Sequence, residues 1–248
     1  MILITGASGN VGREVLKQIS QAGHKVRAAY QSSQKVAEAP AGVETVIVDF
    51  NRPDTLRAAL NGINCIFWSG RSRQIWSSSK ARRPRRSNVA GVEWTFLRPN
   101  GFMQNMVIYN SATVRVQNTF YGSSAGGKVS QIDIRDTGAA AVRVLTEDGH
   151  VGKTYTLTGP AALSNAEAAA ILSSVLGREI RYVNLPPDQM KQALLGAGTP
   201  EWNANGIIDL EALYREGGAS TVSPDIERLL GRKPIAYEQF ARDYASNF

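Results

Sequence analysis

Cysteine and histidine are scarce in this sequence of 248 residues, which has one cysteine, Cys65, and two histidines. A single cysteine excludes an internal disulfide, and so small a set of sulfur and imidazole ligands excludes a structural zinc scaffold. No apolar run approaches the roughly 18–20 residues that a membrane span needs. The N-terminus also lacks the basic lead-in of a signal peptide. We therefore expect a soluble, cytoplasmic protein with no metal site and no membrane partner.

Acidic residues are missing from one stretch, Arg71 to Arg86, which has seven Lys or Arg residues. The net charge of the whole chain is +7, so the remaining sequence is neutral and the excess charge is confined to this stretch. Seven basic side chains are enough to contact nucleic-acid phosphates, but Trp76 is the only aromatic residue for base stacking. Pro84 interrupts any helix here. We interpret residues 70–90 as an irregular basic segment and do not expect a nucleic-acid partner.

Short apolar runs and amphipathic stretches alternate through much of the chain, which is typical of a parallel sheet covered by helices. Met1 to Thr5 has the composition of a strand buried on both faces, and apolar residues recur at helical spacing from Val11 to Ala22. We predict a doubly wound α/β domain in residues 1–160 and a small, mainly helical part in residues 161–248, interleaved with it. Three further apolar runs predict strands at residues 25–30, 44–48 and 64–68.

A glycine-rich turn, Thr5-Gly-Ala-Ser-Gly-Asn-Val-Gly12, joins the first predicted strand to the first predicted helix. In such a turn Gly6 permits the sharp bend, Gly9 lets the backbone approach a pyrophosphate, and Gly12 lets the helix pack against the sheet. The amides of the following helix N-terminus favour an anion. This strand–turn–helix context predicts a Rossmann-type NAD(P)-binding domain. The turn residues assigned to cofactor binding are Gly6, Ser8, Gly9, Asn10, Val11 and Gly12.

The segment after the second predicted strand, Tyr30 to Lys35, is expected to contact the adenosine ribose. It contains no Asp or Glu, the residue type that binds the 2′-hydroxyl of NAD and repels a 2′-phosphate. Lys35 and the nearby Arg27 favour NADP, with NAD still possible, although Lys35 also fits a solvated surface lysine. We assign Gln31, Ser32 and Lys35 to cofactor binding.

Longer blocks of sequence resemble the NmrA-like proteins, an atypical branch of the short-chain dehydrogenase/reductase superfamily. The resemblance covers residues 1 to about 70 and 91 to 248, and its most specific block is GVEWTFLRPNGFMQN at 91–105. It implies NAD(P) binding, with cofactor contacts extending to Asp49, Phe50, Pro99 and Asn100. Asp49 would either accept a hydrogen bond from adenine or cap the turn that follows it. The resemblance also implies that the Pro99–Met103 turn lies beside the nicotinamide.

The same resemblance suggests a substrate pocket near this turn and in the C-terminal part. Its walls would be apolar or amide side chains that contact a small molecule. Ordinary core packing is an equally good interpretation of the apolar members. The residues assigned to the pocket are Phe102, Met103, Asn105 and Trp202.

The middle of the chain departs from the family pattern. Relatives usually have a helix, a strand and a lysine-bearing helix between the fourth strand and the 91–105 block, where this chain has about twenty residues. Lys80 stands at the spacing of that lysine and is our catalytic candidate, although one charge in a solvated basic loop is the simpler interpretation. The Tyr-x-x-x-Lys pair of the superfamily is missing, because Trp76 takes the tyrosine position. Tyr109 and Tyr121 are alternative proton donors.

Two functions are compatible with these features. The first is an NAD(P)H-dependent reductase or isomerase acting on a small apolar substrate, aromatic or quinone-like. The second is a non-catalytic NAD(P)-binding redox sensor of the NmrA type, which the missing acid motif favours. An oligomer or a protein partner stays possible for either. Consumption of NADPH during turnover separates the two.

Overall fold

The computed structural model describes residues 1–69 and 93–248, which form two compact units. The first unit contains residues 1–69, 93–97 and 134–154, and the second contains residues 98–133 and 155–248. This division differs from the predicted boundary at residue 160, because residues 98–133 pack with the C-terminal helices. The basic segment at 70–90 lies outside the described residues.

Helices and strands alternate along the first part of the chain and helices predominate later. Up to residue 69 the elements are β1 (Ile2–Ile4), α1 (Asn10–Gln21), β2 (Val26–Tyr30), α2 (Ser33–Val36), β3 (Glu44–Ile47), α3 (Pro53–Leu60) and β4 (Cys65–Phe67). From residue 93 they are β5 (Phe96–Pro99), α4 (Gln104–Gln117), β6 (Thr119–Gly122), β7 (Lys128–Val129), α5 (Ile134–Thr146), β8 (Thr154–Leu157), β9 (Leu163–Ser164), α6 (Asn165–Leu176), β10 (Arg181–Asn184), α7 (Pro187–Gly196), α8 (Glu201–Arg215), α9 (Asp225–Leu230) and α10 (Tyr237–Asp243).

Within residues 1–69, the first unit is built on a parallel sheet of four strands in the order β3-β2-β1-β4, which confirms the predicted α/β fold. Side chains alternate across a strand, so β1 buries Ile4 against one layer and Leu3 against the other. The Ile4 layer includes Val15 of α1, and the Leu3 layer includes Ala59 of α3. Apolar clusters on both faces give the doubly wound arrangement.

Helix α1 is fixed in the first unit by close packing against α5. A Cβ atom on Gly138 of α5 would lie 2.8 Å from Nε2 of Gln18, so the Gln18 side chain would have to move if a larger residue replaced this glycine. The same Gln18 amide donates to Oε1 of Glu14 at 2.7 Å and to the carbonyl of Arg135 at 2.9 Å. The N-terminal end of α1, and with it the glycine-rich turn, is therefore held in a defined position.

The second unit has two small strand pairs, parallel β6-β10 and antiparallel β7-β9. Its core includes Phe120, Leu172 and Phe240, each almost completely buried. A capping box starts α6: Ser164 and Glu167 exchange hydrogen bonds between side chain and backbone. Lys128 and Ser164 together lower the pKa of Glu167 to about 2. Strand β5 pairs with β8.

Tyr237 is an isolated polar group in this core. Its side chain is 3% exposed, and its hydroxyl has no hydrogen-bond partner among the described residues. A buried unsatisfied hydroxyl costs about 1–3 kcal/mol, and Tyr237→Phe removes it while keeping the ring that packs 5.3 Å from Phe240. We expect urea denaturation to show a free energy of unfolding about 1 kcal/mol higher. Tyr182→Phe loses a 3.1 Å hydrogen bond to Asn184, so it should lower the free energy of unfolding. A loss of stability in Tyr237→Phe would contradict this interpretation.

Candidate functional site

The turn after β1 is tied to the end of β4. The amide and hydroxyl of Thr5 both donate to the carbonyl of Phe67, at 2.9 and 3.0 Å, and the Ser69 amide donates to the Thr5 hydroxyl at 3.0 Å. Gly6 follows with φ at +63°, and a Cβ atom there would lie 2.7 Å from the Ser69 carbonyl oxygen. Both the conformation and the space require glycine.

The other two glycines fold this turn back onto α1. The Gly9 amide donates to the Gly6 carbonyl at 2.8 Å, and Gly9 is the extended N-cap residue of α1. A Cβ atom on Gly12 would lie only 2.1 Å from the same Gly6 oxygen. The sharp bend, the close backbone and the tight helix contact predicted from the sequence are therefore all present.

The N-terminus of α1 is open to an anion. In the described part of the chain no side chain caps it, and its first turn has no acidic residue. The first-turn amides of Asn10, Val11 and Gly12 thus keep the donor character that a helix N-terminus offers, reinforced by the helix dipole. Donors of this kind, in a glycine turn that keeps side chains away, fit the pyrophosphate of a dinucleotide.

The segment expected to contact the ribose follows β2 at the same edge of the sheet. Gln31 and Lys35 are exposed there, and Ser32 is the half-buried N-cap residue of α2 with no side-chain hydrogen bond to that helix. Their role in cofactor binding stays a prediction.

Arg27 does not belong with these residues, which corrects the sequence interpretation. Its guanidinium donates to Oε1 of Glu44 at 2.7 Å and to the carbonyls of Ala59 and Asn61, each at 2.8 Å. The side chain leaves β2 on the α3 face, so its donors are used at the end of α3. It therefore gives no support to NADP over NAD.

Arg13 and Glu38 were missed by the sequence analysis. The Arg13 guanidinium lies 2.7 Å from Oε2 of Glu38 and 3.3 Å from the Ser8 carbonyl. Both line a cavity of about 210 Å³ that also contacts Tyr30. The pair places a carboxylate near the end of β2, where the ribose is expected, but the Arg13 guanidinium is paired with that carboxylate. Twenty-five residues separate the two in sequence, and the only local signal was a basic residue directly after the third glycine.

Asp49 caps the turn before α3. Its Oδ1 accepts from the backbone amide of Asn51 at 2.9 Å and from the side-chain amide at 3.1 Å. The Asp49 amide donates to the hydroxyl of Thr55 at 3.1 Å. The structure therefore bears out the capping alternative, and an adenine contact by Asp49 stays a prediction.

Phe50 and Trp68 form an exposed aromatic pair. Their side chains are 46% and 64% exposed, and their ring centroids lie 5.0 Å apart with the planes tilted by 55°. Phe50 follows β3 and Trp68 follows β4, the first and last strands in the sheet order of the described residues, so the contact joins segments that follow well-separated strands. Trp68 was not singled out from sequence, although its position directly after a strand was a usable signal.

In the second unit, Asn100 holds the turn that follows β5. Its side-chain amide donates to the Ser130 hydroxyl and to the Ala219 carbonyl, both at 2.8 Å. Its Oδ1 accepts from the Gly101 amide at 2.8 Å, and its own amide donates to the Leu157 carbonyl at 2.9 Å. These bonds give Asn100 a positioning role in the turn. Cofactor contacts by Asn100 and the exposed Pro99 stay predictions.

The residues assigned to a substrate pocket have different environments. Met103 is 2% exposed and belongs to the core of the second unit, which is the packing alternative left open above. Phe102 is half-buried, and its backbone forms an isolated parallel β-bridge with Ile132. Asn105 is half-buried at the start of α4. Trp202 is exposed in the first turn of α8. A pocket formed by these four residues stays a prediction.

The predicted catalytic groups are not assembled in the described residues. Lys80 lies outside them. Tyr109 is 73% exposed on α4, and the Tyr121 hydroxyl donates to the side chain of Gln117 at 3.0 Å. Tyr214, which the sequence analysis passed over, places its hydroxyl beside Gly101. Across residues 1–69 and 93–248, His, Cys, Asp and Glu side chains form no cluster suited to a metal ion, and no helix there combines the length and hydrophobicity of a membrane span.

Comparison with known proteins agrees with this geometry. Residues 6–90 match the model of a family described as NAD(P)H-binding. The whole chain is 33% identical to an NAD(P)H azoreductase of Xenophilus azovorans over 284 positions, covering 100% of this chain and 99% of the relative. The fold and glycine turn define a Rossmann-type NAD(P)-binding protein. More narrowly, the chain belongs to the NmrA-like branch of the atypical short-chain dehydrogenase/reductase superfamily, as the resemblance implied.

Two solved structures share the fold. One is an NADPH-dependent quinone oxidoreductase of Escherichia coli in complex with NADPH, with a TM-score of 0.85, 22% identity, and coverage of 99% of this chain and 100% of that one. The other is a Citrobacter triphenylmethane reductase in complex with NADP(H), with a TM-score of 0.84, 23% identity and the same coverage.

The azoreductase comparison also bears on the length of the chain. Its 284 aligned positions exceed the 248 residues of this sequence, which leaves at least 36 positions with no residue here. The relative therefore has chain that this protein lacks. Whether the difference lies in the connection between β4 and β5, as the family pattern implies, stays a prediction.

Proposed function

We propose that the protein is an NAD(P)H-dependent reductase of small conjugated electrophiles, of the aromatic or quinone-like class. The observation that carries the proposal is the open glycine turn at the start of α1, in a chain similar over its full length to an azoreductase. The named relatives act on azo compounds, quinones or triphenylmethane dyes. These substrates share an extended π-system that accepts a hydride.

Two features support the proposed chemistry. A bound nicotinamide supplies the hydride. In the first unit, the amides at the start of α1 would hold the pyrophosphate of the cofactor, and the N-terminal dipole would stabilise its charge. In the second unit, the hydrogen bonds of Asn100 fix the Pro99–Met103 turn, against which we place the substrate. A rigid turn holds a planar acceptor in the orientation that hydride transfer requires.

Turnover tests the proposal directly. Purified protein is mixed with NADPH and, separately, with an azo dye, a benzoquinone and a cationic triphenylmethane dye, and loss of NADPH absorbance is followed. We expect turnover of at least one acceptor. One molecule of NADPH should be consumed for each acceptor bond that is reduced. Tight NADPH binding with no turnover of any acceptor would contradict the proposal.

We further infer a preference for NADPH, held by Lys35 beyond the end of β2. Lys35 is exposed, so its pairing with a 2′-phosphate is worth only about 1 kcal/mol, or roughly a fivefold change in affinity. Lys35→Ala should therefore weaken NADPH binding about fivefold in calorimetry and leave NADH binding unchanged. Lys25→Ala is the matched control, because Lys25 is an equally exposed lysine just before β2. An equal effect of Lys35→Ala on both cofactors would contradict the inference.

A non-catalytic NAD(P) sensor is the second candidate. The observation that favours it is the chain length, since at least 36 positions of the azoreductase have no counterpart here. We expect part of this difference to lie in the short connection between β4 and β5, which is where the family pattern places a catalytic lysine. A sensor would bind NADPH as tightly as a reductase and would leave every acceptor of the turnover assay unchanged.

A further inference from the structure

A cavity of the first unit carries charges of both signs beside the glycine turn. Its volume is about 210 Å³, and all of its lining residues belong to that unit. They are Ala7 and Ser8 of the turn, Arg13, Leu16 and Lys17 of α1, Tyr30 at the end of β2, and Glu38 and Pro40 of the loop before β3. The cavity is therefore complete within one unit, at the edge of the sheet where the adenosine ribose is expected.

Two cations reach this cavity from one side of α1. Arg13 and Lys17 are four residues apart on the helix, so their side chains are neighbours on its surface. The Arg13 guanidinium is 2.7 Å from the Glu38 carboxylate, and these side chains are 64% and 53% exposed. Lys17 has no ion pair within the described residues. An ion pair this exposed contributes little stability, so Arg13 can exchange Glu38 for another anion at small cost.

A buried phenol beside the pair has no partner. Tyr30 is 3% exposed, and among the described residues its hydroxyl has no hydrogen-bond partner. Burial raises the pKa of this phenol, while the Arg13 charge acts to lower it and the Glu38 charge to raise it. Both charges act on the phenol, so its hydroxyl lies near the ion pair. A buried hydroxyl without a partner is unfavourable unless a ligand or water supplies one, which indicates a polar occupant of the cavity.

We propose that the Arg13–Glu38 pair lets this chain accept both NADPH and NADH, because Arg13 changes partner between them. In the presence of a 2′-phosphate, Arg13 leaves Glu38 for the dianion, whose oxygens match the planar guanidinium, and Lys17 adds a second cation. In its absence, Arg13 stays on Glu38, and the carboxylate accepts from the ribose 2′-hydroxyl. The inference rests on the cofactor binding of the family and does not depend on turnover.

The exchange predicts opposite effects for the two members of the pair. Without Arg13, the phosphate loses its principal cation and meets the Glu38 charge alone. Without the Glu38 charge, Arg13 is free for the phosphate, but the ribose hydroxyl loses its acceptor. Selectivity for NADPH over NADH should therefore fall in the first case and rise in the second. Lys35 lies outside the residues that line this cavity, so its proposed contribution is separate.

The test is calorimetric titration of the intact chain with each cofactor. Arg13→Leu should weaken NADPH binding about tenfold, the scale of a hydrogen bond to a charged group, and should change NADH binding by less than about twofold. Glu38→Gln should strengthen NADPH binding roughly threefold and weaken NADH binding by a similar factor. Adenosine 2′,5′-bisphosphate and adenosine 5′-monophosphate, which lack the nicotinamide, should reproduce both shifts in selectivity.

A second exposed ion pair of the same unit provides the matched control. Arg143 and Glu147 are paired on α5, and their side chains are each 46% exposed. Neither residue lines the cavity. Arg143→Leu and Glu147→Gln should therefore leave the affinity for both cofactors unchanged.

The selectivity ratios decide the inference. An equal loss of NADPH and NADH affinity in Arg13→Leu would overturn it and would indicate a structural role, through the 3.3 Å hydrogen bond to the Ser8 carbonyl. A Glu38→Gln protein with unchanged or lower selectivity for NADPH would also overturn it, as would a wild-type protein that binds only one of the two cofactors. If Arg13→Leu does not fold, Arg13→Lys decides, because it keeps the charge without the planar fork and must lose NADPH affinity alone.

Failure of this inference differs from failure of the proposed function. A wild-type protein that binds both cofactors but reduces no acceptor refutes the reductase and leaves the partner exchange standing. A wild-type protein that binds neither cofactor refutes both.

Discussion

Gly12→Ala is expected to remove nearly all affinity for NAD(P)H. The new methyl group would lie 2.1 Å from the Gly6 carbonyl oxygen, 2.7 Å from the Gly6 carbonyl carbon and 3.2 Å from the Ala7 Cα. All three are backbone atoms, so no side-chain rotation relieves the clash. The turn and α1 must separate, which displaces the amides that we assign to the pyrophosphate. Hydrogen bonds to a charged group are worth about 1.5–3 kcal/mol each, so the loss of two predicts at least a 100-fold weaker Kd in calorimetry.

Two other glycines provide graded controls for this variant. A Cβ atom on Gly9 would lie 3.2 Å from the Gly6 oxygen, a contact that a small shift relieves, so Gly9→Ala should lose less affinity. Gly206, inside α8, has nothing within 4 Å of its Cβ position, and Gly206→Ala should bind NADPH normally. Saturating NADPH at 100 times Kd stabilises a binding-competent protein by about 2.7 kcal/mol. A Gly12→Ala protein that gains this stabilisation in thermal melts would show that binding does not depend on the turn.

The glycine turn could be predicted from sequence because its requirements are local. The bend at Gly6 and the contact of Gly12 with the Gly6 carbonyl both lie within eight consecutive residues, and the flanking strand and helix have clear apolar periodicity. The parallel sheet follows from the same alternation of strands and helices. Sequence reasoning therefore recovered the fold class and the geometry of the glycine turn.

Side chains whose partners are distant in sequence were not predictable in this way. Proximity to the end of β2 suggested Arg27 as a phosphate ligand, whereas its side chain leaves the strand on the α3 face and is bound there. Arg13 meets Glu38 only because α1 begins beside the loop after β2. Tyr214 and Gly101 are more than a hundred residues apart, and a helical pattern does not indicate which turn a tyrosine will face. Such pairings depend on tertiary packing.

The Phe50–Trp68 pair leads to the second large expected effect, which concerns adenine. Two exposed rings beside the glycine turn offer a stacking surface, and the Ser69 backbone that follows Trp68 contacts Gly6 and Thr5. We propose that Trp68 stacks on the adenine of the cofactor. Stacking on an aromatic side chain is worth about 1–3 kcal/mol per base, so Trp68→Leu should weaken NADPH binding roughly tenfold or more.

A matched substitution and a fragment without adenine separate stacking from general damage to the turn. Trp68→Phe keeps an aromatic face and should retain most of the affinity, whereas Trp68→Leu should lose it for NADPH and ADP-ribose alike. Nicotinamide mononucleotide, which has no adenine, should bind both variants equally in calorimetry. Tighter binding of NADPH by Trp68→Leu would contradict stacking. It would mean that the two rings, 5.0 Å apart, occupy the adenine position themselves and must separate before the cofactor binds.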